Sequence, residues 1–525
     1  MTDTDRAPVI MIGLDAAEYS LIEEWMAEGA LPNMASLAGR GSSGRLASTA
    51  RWLVGSPWPS FYTSSSPADH GLYHYLQWRP EQMKHDRPGK DWLPLDPFWR
   101  SAARKGRRVI ALDVPLTYAP ETFPGTEISG WATHELLEKP ASQPPDLLRN
   151  IEREYGKPPF DAEESRLLSY AEMINVRDQC INTTELVSQV SVDLMKREDW
   201  DLFIVCLAAT HRAGHQLWDE TNISGTLTPE QKAEHKDALR QVYIAIDRGI
   251  GDMLEQAGGD ATAMVFSLHG MGVNVSRSEV MREMLSRVVE DNAPGAAASA
   301  HNKRWVDRLR ILVPTSFRAK VKTRLPRILQ DWLTLFWRTS NIDWTRTRAF
   351  SAFSDLDGYV RVNLKGRESG GIVEPGEEFE ALLQKIEAGL LTYADADSGE
   401  PLVAETIRAT TLFGEDAEIA NTLPDIMVRW APSSAAKHHR ITSSQYGEIA
   451  WPTPGRHPQA RSGNHRPEGF LIAAGASVGK GAGLSGAHIM DLAPTVFSLL
   501  ELEQPDDFRG KPLFASHQEQ GLGRH

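Results

Sequence analysis

Along the chain, short apolar runs alternate with longer stretches of helical period. Residues 8–14 (PVIMIGL) are apolar throughout and stop at Asp15, the pattern of a parallel strand buried on both faces. Apolar positions then recur at helical spacing through residues 19–40, at Leu21, Ile22, Trp25, Met26, Leu31, Met34 and Leu37. Three more apolar runs, residues 107–114, 201–208 and 261–267, each follow a helical stretch. Strand–helix alternation of this kind predicts an α/β fold around a mostly parallel central sheet flanked by helices.

Ligands of open parallel sheets bind beyond the carboxyl ends of the strands. The polar residues at those ends are Asp15, then His211 with His215, then His269. They come from three strands and are expected to converge on one rim. Two segments interrupt the alternation: residues 135–200, polar and helical in pattern, and residues 276–341, rich in Arg, Lys and Trp. Both are read as inserted helical cap segments. This divides the chain into core (1–134), insertion (135–200), core (201–275), basic cap (276–341), core (342–515) and a disordered tail (516–525).

A length of 525 residues agrees with such insertions, because single cores seldom grow beyond about 300 residues. The net charge of -14 argues against nucleic acid as a partner, so an anionic substrate must be held locally. Only two cysteines are present, Cys180 and Cys206, both in apolar surroundings, which excludes a disulfide framework. Residues 1–8 are polar without a basic start or apolar signal core, and no apolar run reaches about 18 residues. The expectation is a cytoplasmic protein without a transmembrane segment.

Each chemical element is weak alone. Asp15 can ligate a divalent metal, although a strand-end Asp more often caps the next helix. Residues 55–75 (GSPWPSFYTSSSPADHGLYHY) crowd hydroxyls into what could be a plain polar turn or could hold a nucleophile activated by a nearby metal. His211 and His215 are four residues apart, on one face of a helical turn, and can share a metal. His269 follows an apolar strand, and His465 precedes the run FLIAAGA. Four strand-adjacent histidines with one strand-end Asp are a far less probable accident than any one of them.

The pattern resembles the type I phosphodiesterase/nucleotide pyrophosphatase family of the alkaline phosphatase superfamily. The similarity spans residues 8–115, 200–275 and 342–513, with GYVRVNLKGRE, HRPEG and MDLAPTVFSLLELEQPDDFRGKPL as the most specific blocks. The resemblance implies an alkaline-phosphatase-like sandwich and a small phosphate-ester substrate. It also implies two metals, commonly zinc, about 4 Å apart. Carried over by position, one metal would be held by His211, His215 and His465. The other would be held by Asp15, the nucleophile and His269. Three departures stand out. His211 replaces a usual Asp, Leu268 replaces the Asp of an Asp-His pair, and the position of the Ser/Thr nucleophile falls on Val54. A two-residue shift places the nucleophile at Ser56, with Ser60 next. The expectation is therefore one tight and one weaker divalent metal, and hydrolysis through Ser56.

Neither Cys180 nor Cys206 precedes the xPxR of formylglycine sulfatases. A non-catalytic anion- or partner-binding relative is the alternative that Val54 and Leu268 support. Sulfate or phosphonate ester hydrolysis is another. Residues 301–348 carry twelve Lys/Arg against three Asp/Glu, with Trp305, Trp332, Trp337 and Trp344 among them. Such a segment can be a cap helix, an anion-recognising lid or a peripheral docking surface.

Overall fold

The computed structural model describes residues 7–133, 136–159, 166–290, 342–414, 421–481 and 483–514. Eight strands form its central sheet: β1 (Val9–Leu14), β2 (Ser42–Leu46), β3 (Val109–Leu112), β4 (Thr126–Ser129), β5 (Ala141–Gln143), β6 (Leu202–Leu207), β7 (Thr262–Ser267) and β8 (Gly469–Ala474), in the spatial order β2-β8-β7-β1-β6-β3-β4-β5. The four apolar runs thus become four adjacent strands. β7, β1, β6 and β3 are mutually parallel, while β8 and β5 run antiparallel to their neighbours.

β1 shows why these runs are apolar throughout. Ile10, Ile12 and Leu14 point into one core cluster, and Val9 and Met11 into a second on the opposite face. A strand covered on both sides has no position left for a polar side chain. The first face is covered by α1 (Tyr19–Ala27), α3 (Tyr170–Arg197) and α5 (Pro229–Ala257). The second is covered by the aromatic α2 (Pro57–Thr63) together with Phe98, Trp99 and Phe497. The result is a helix–sheet–helix sandwich, as expected from the alternation.

Residues 135–200, expected as an insertion, supply α3, whose buried side joins the first core cluster through Val187, Val190 and Leu194. Ser169 and Glu172 close a capping box at its start, and Thr228 and Gln231 do the same for α5. Of the basic segment, residues 291–341 lie outside the described residues, as does the tail from 515. Its first part, residues 278–290, is a helix whose Met281, Met284 and Leu285 belong to a third core cluster.

That third cluster underlies a four-stranded antiparallel sheet, built from residues 349–352, 358–362, 426–430 and 403–408. The block GYVRVNLKGRE has a structural task here. Arg361 reaches Glu368 at 2.8 Å, and Arg367 reaches Asp425 at 2.6 Å, all four side chains nearly fully buried. Removing one partner would leave a buried charge uncompensated, at a cost of about 3–5 kcal/mol. The network fixes the hairpin whose turn, residues 353–357, faces the edge of the main sheet.

One glycine in β1 is required by close approach. A Cβ on Gly13 would lie 3.0 Å from the indole of Trp58 and 3.2 Å from Phe266. Gly13→Ala is therefore expected to cost about 1–3 kcal/mol through overpacking and to shift Trp58, read as a lowered melting temperature with altered tryptophan fluorescence. An unchanged melting temperature and spectrum would show that the indole yields freely.

Candidate metal centre

The sheet register brings the strand ends together. Leu14 lies beside Leu207, and Gly13 beside Phe266, so Asp15, the start of α4 (Ala209–Leu217) and the Ser267–His269 turn share one rim. His211 and His215 sit one turn apart on α4 and are buried. His465 arrives on the strand Gly463–Arg466, which pairs antiparallel with Gly270–Val273 so that His465 opposes Met271, two residues from His269. The His465 ring centroid is 4.8 Å from that of His211, 4.9 Å from His215 and 4.7 Å from His269. The structure thus gathers all four expected histidines and Asp15.

Their hydrogen bonds decide where the protons sit. His215 Nδ1 is 2.8 Å from Gly463 O. A carbonyl only accepts, so Nδ1 carries the hydrogen and Nε2 is left with its lone pair. His211 Nδ1 is 3.0 Å from Asp15 Oδ2, and by the same reasoning its Nε2 is also a lone pair. These two Nε2 atoms face each other at 3.0 Å. Two facing lone pairs in a buried site repel unless a cation or a shared proton lies between them. His465 Nδ1 is likewise buried with no hydrogen-bond partner among the described residues. Burial, together with the neighbouring His269, His211 and His215 and against the pull of Asp15, drives His465 well below the usual imidazole range. It stays neutral, as a metal ligand must.

The donor set fits a divalent cation. Ring nitrogens of His211, His269 and His465 all lie within 4.8 Å of one another, and His215 joins through its contact with His211. Tetrahedral zinc–imidazole bonds of about 2.0–2.1 Å space neighbouring ligand atoms by slightly more than 3 Å, close to the His211–His215 separation. Asp15 has both oxygens engaged: Oδ2 with His211, and Oδ1 accepting from Trp58 Nε1 at 2.8 Å. In this arrangement it fixes the orientation of the His211 ring, as a carboxylate behind a metal-bound histidine would.

The expected hydroxyls are engaged in other hydrogen bonds. Ser56 is fully buried, and its Oγ donates to Leu53 O at 2.6 Å, beside Thr49 Oγ1 at 2.7 Å. Ser60 Oγ lies 2.9 Å from His70 Nε2. His70 Nδ1 accepts from Leu72 N, so Nε2 is the protonated nitrogen and donates to Ser60. Burial lowers His70 to about 3, so the ring stays neutral, and with Nε2 already protonated it cannot take the Ser60 proton. At the cavity wall stands Val54 instead, with Gly55, Pro57 and Trp58. Leu268 is fully buried in the second core cluster.

Two cavity residues escaped the sequence reading: His74 and Asp355. His74 Nε2 is 3.1 Å from Asp355 Oδ2. His74 lies within the residues 55–75 block, which drew attention only for its hydroxyls. Asp355 stands three residues before GYVRVNLKGRE, and nothing near it in sequence links it to the histidines.

Residues 9–333 match the family model described as type I phosphodiesterase / nucleotide pyrophosphatase. No curated protein matches. Among solved structures, phosphonoacetate hydrolase from Sinorhizobium meliloti 1021, in complex with phosphonoformate, is similar at 12% identity and a TM-score of 0.51, over 94% of this chain and 95% of that one. Human ectonucleotide pyrophosphatase / phosphodiesterase 5 is similar at 11% identity and a TM-score of 0.45, over 95% and 96%. The family match covers more than half of the chain, and together with the alkaline-phosphatase-like sandwich it places the protein among phosphoester hydrolases: the chain belongs to the type I phosphodiesterase / nucleotide pyrophosphatase family.

Proposed function

We propose that the protein hydrolyses small phosphate esters at a single tight zinc site held by His211, His215 and His465, with His269 beside it. The observation that carries this is the 3.0 Å approach of the two Nε2 atoms of His211 and His215, made sterically and electrostatically sensible by a cation. Zinc bound there would supply Lewis-acid stabilisation of charge on the phosphoryl oxygens. Asp15 holds His211 in the required tautomer, and Trp58 holds Asp15. Val54, Pro57, Pro115 and Leu116 give the cavity apolar walls that limit water. A second, weaker metal would need Asp15 to release one of its two partners.

The attacking group in this reading is water, because the cavity wall carries Val54 where a hydroxyl is expected. The second reading keeps Ser56 as nucleophile. It draws support from Gly55 and Pro57, which flank Ser56 and both line the cavity, so a rotation of the Ser56 side chain is the change it requires. Among the described residues no helix is long and apolar enough to cross a membrane. Cys180 and Cys206 are buried and form no disulfide.

The test uses the purified, zinc-loaded protein on phosphodiesters, phosphomonoesters, phosphonates and sulfate esters. Wild type should hold one tight zinc per chain by elemental analysis and turn over at least one phosphate ester. His215→Ala should lose that zinc and at least about a thousandfold in rate. Zinc-loaded wild type that turns over nothing in the panel, or a His215→Ala variant that keeps its zinc, would overturn the assignment.

Ser56→Ala separates the two nucleophiles. If water attacks, its kcat/KM should stay within about threefold of wild type, while loss of a true nucleophile costs several orders of magnitude. A near-complete loss with zinc retained would restore Ser56 to the role.

A further inference from the structure

We propose that Asp355 is the catalytic base of this site, binding and deprotonating the attacking water, with His74 as the residue that positions it. The inference rests on the hydrolase reading above and assigns a role that the metal cluster leaves unfilled.

The two residues reach the cavity from different parts of the fold. His74 follows α2 and its loop, whereas Asp355 sits in the hairpin turn of the antiparallel sheet. Asp355 is tied down at both ends. Its main-chain oxygen accepts from Asn464 Nδ2 at 3.1 Å, which couples the turn to the residue before His465. Its Oδ2 meets His74 Nε2 at 3.1 Å. The other oxygen, Oδ1, has no hydrogen bond among the described residues, and the side chain keeps 16% exposure on the cavity that the imidazoles also line.

His74 cannot itself serve as the base. Nε2 is committed to Asp355, and Nδ1 lies 2.8 Å from Leu76 O and 3.0 Å from Leu76 N. Its ring is stacked on Tyr75, with centroids 4.5 Å apart. Both nitrogens and one face are occupied, so its function is to hold Asp355. Asp355 stands outside the group His211, His269 and His465 whose ligand atoms gather within 4.8 Å, and its Oδ2 is taken by His74. Desolvation is outweighed by His74, Arg461 and His215, which hold the Asp355 carboxyl well below the usual carboxylate range; it is therefore ionised, shares the cavity, and has Oδ1 placed to accept a hydrogen bond from water.

The step balances without a further reactant. The water oxygen forms a bond to phosphorus as one of its protons passes to Asp355 Oδ1. The bond from phosphorus to the ester oxygen breaks, and its electron pair leaves with the alcohol or phosphate product. Asp355 then returns the proton to that product or to solvent.

The test compares zinc-loaded variants on the best ester of the panel. Removing a general base costs about a hundredfold to ten-thousandfold. Asp355→Asn should therefore fall at least about a hundredfold in kcat, keep its zinc and leave KM within about threefold. Asp355→Ala should regain activity on addition of sodium formate, a small carboxylate that fits the vacated space; a purely structural residue is not rescued in this way. His74→Gln, which keeps an N–H donor, should hold kcat near wild type, while His74→Phe should lower kcat without changing KM. An Asp355→Asn variant as active as wild type, or an Asp355→Ala variant indifferent to formate, overturns the proposal. An Asp355→Asn variant that loses zinc overturns it in favour of a ligand role. Wild type inert on every ester sinks both this proposal and the hydrolase reading, whereas active wild type beside an unimpaired Asp355→Asn sinks this one alone.

Discussion

The 3.0 Å approach of His211 Nε2 to His215 Nε2 is the constraint around which the rest of the site is organised. Each ring has its other nitrogen held by an oxygen, Asp15 Oδ2 on one side and the Gly463 carbonyl on the other. The two Nε2 atoms are thereby held against each other. Burying four imidazoles and a carboxylate in one cluster is costly for the folded chain unless a positive charge lies among them. The fold accepts this because the partners are held by elements that are stable for other reasons: β1, α4 and the paired strands that carry His269 and His465.

Support extends outward in layers. Trp58 holds Asp15, Asp15 holds His211, and the glycine at position 13 leaves space for the indole beneath the strand. On the far side of the cavity the antiparallel sheet delivers Asp355. That sheet is anchored by the buried pairs of Arg361 with Glu368 and of Arg367 with Asp425. The most distinctive sequence block of the chain therefore acts at a distance: it stabilises the hairpin whose turn reaches the cavity lined by the histidines. Such arrangements explain why a motif can mark a family without containing a reacting atom.

The aromatic helix α2 links the two halves of this arrangement. Trp58, Phe61 and Tyr62 fill the second core cluster with Phe98, Phe266 and Trp99. The helix begins at the residues that wall the cavity. Packing there is set by ring contacts, and within it Ser56 bonds Leu53 O and Ser60 bonds His70.

Much of the protein was legible along the chain. The four apolar runs identified the parallel strands, because a strand covered on both faces excludes polar residues and leaves a continuous apolar signature. Asp15, His211, His215 and His269 could be grouped because parallel strands share a direction, so residues just past their ends meet at one edge. His465 came from the resemblance, which supplied a partner far away in sequence. Tertiary structure alone decided which way each side chain turns. Spacing could not say that Val54 faces the cavity while Ser56 faces Leu53, since both lie in one short loop and differ only in direction. Nor could it join His74 to Asp355, 281 positions apart, because that pair depends on how a second sheet packs against the rim of the first. Periodicity encodes which face of an element is buried; it carries no record of which distant element covers that face.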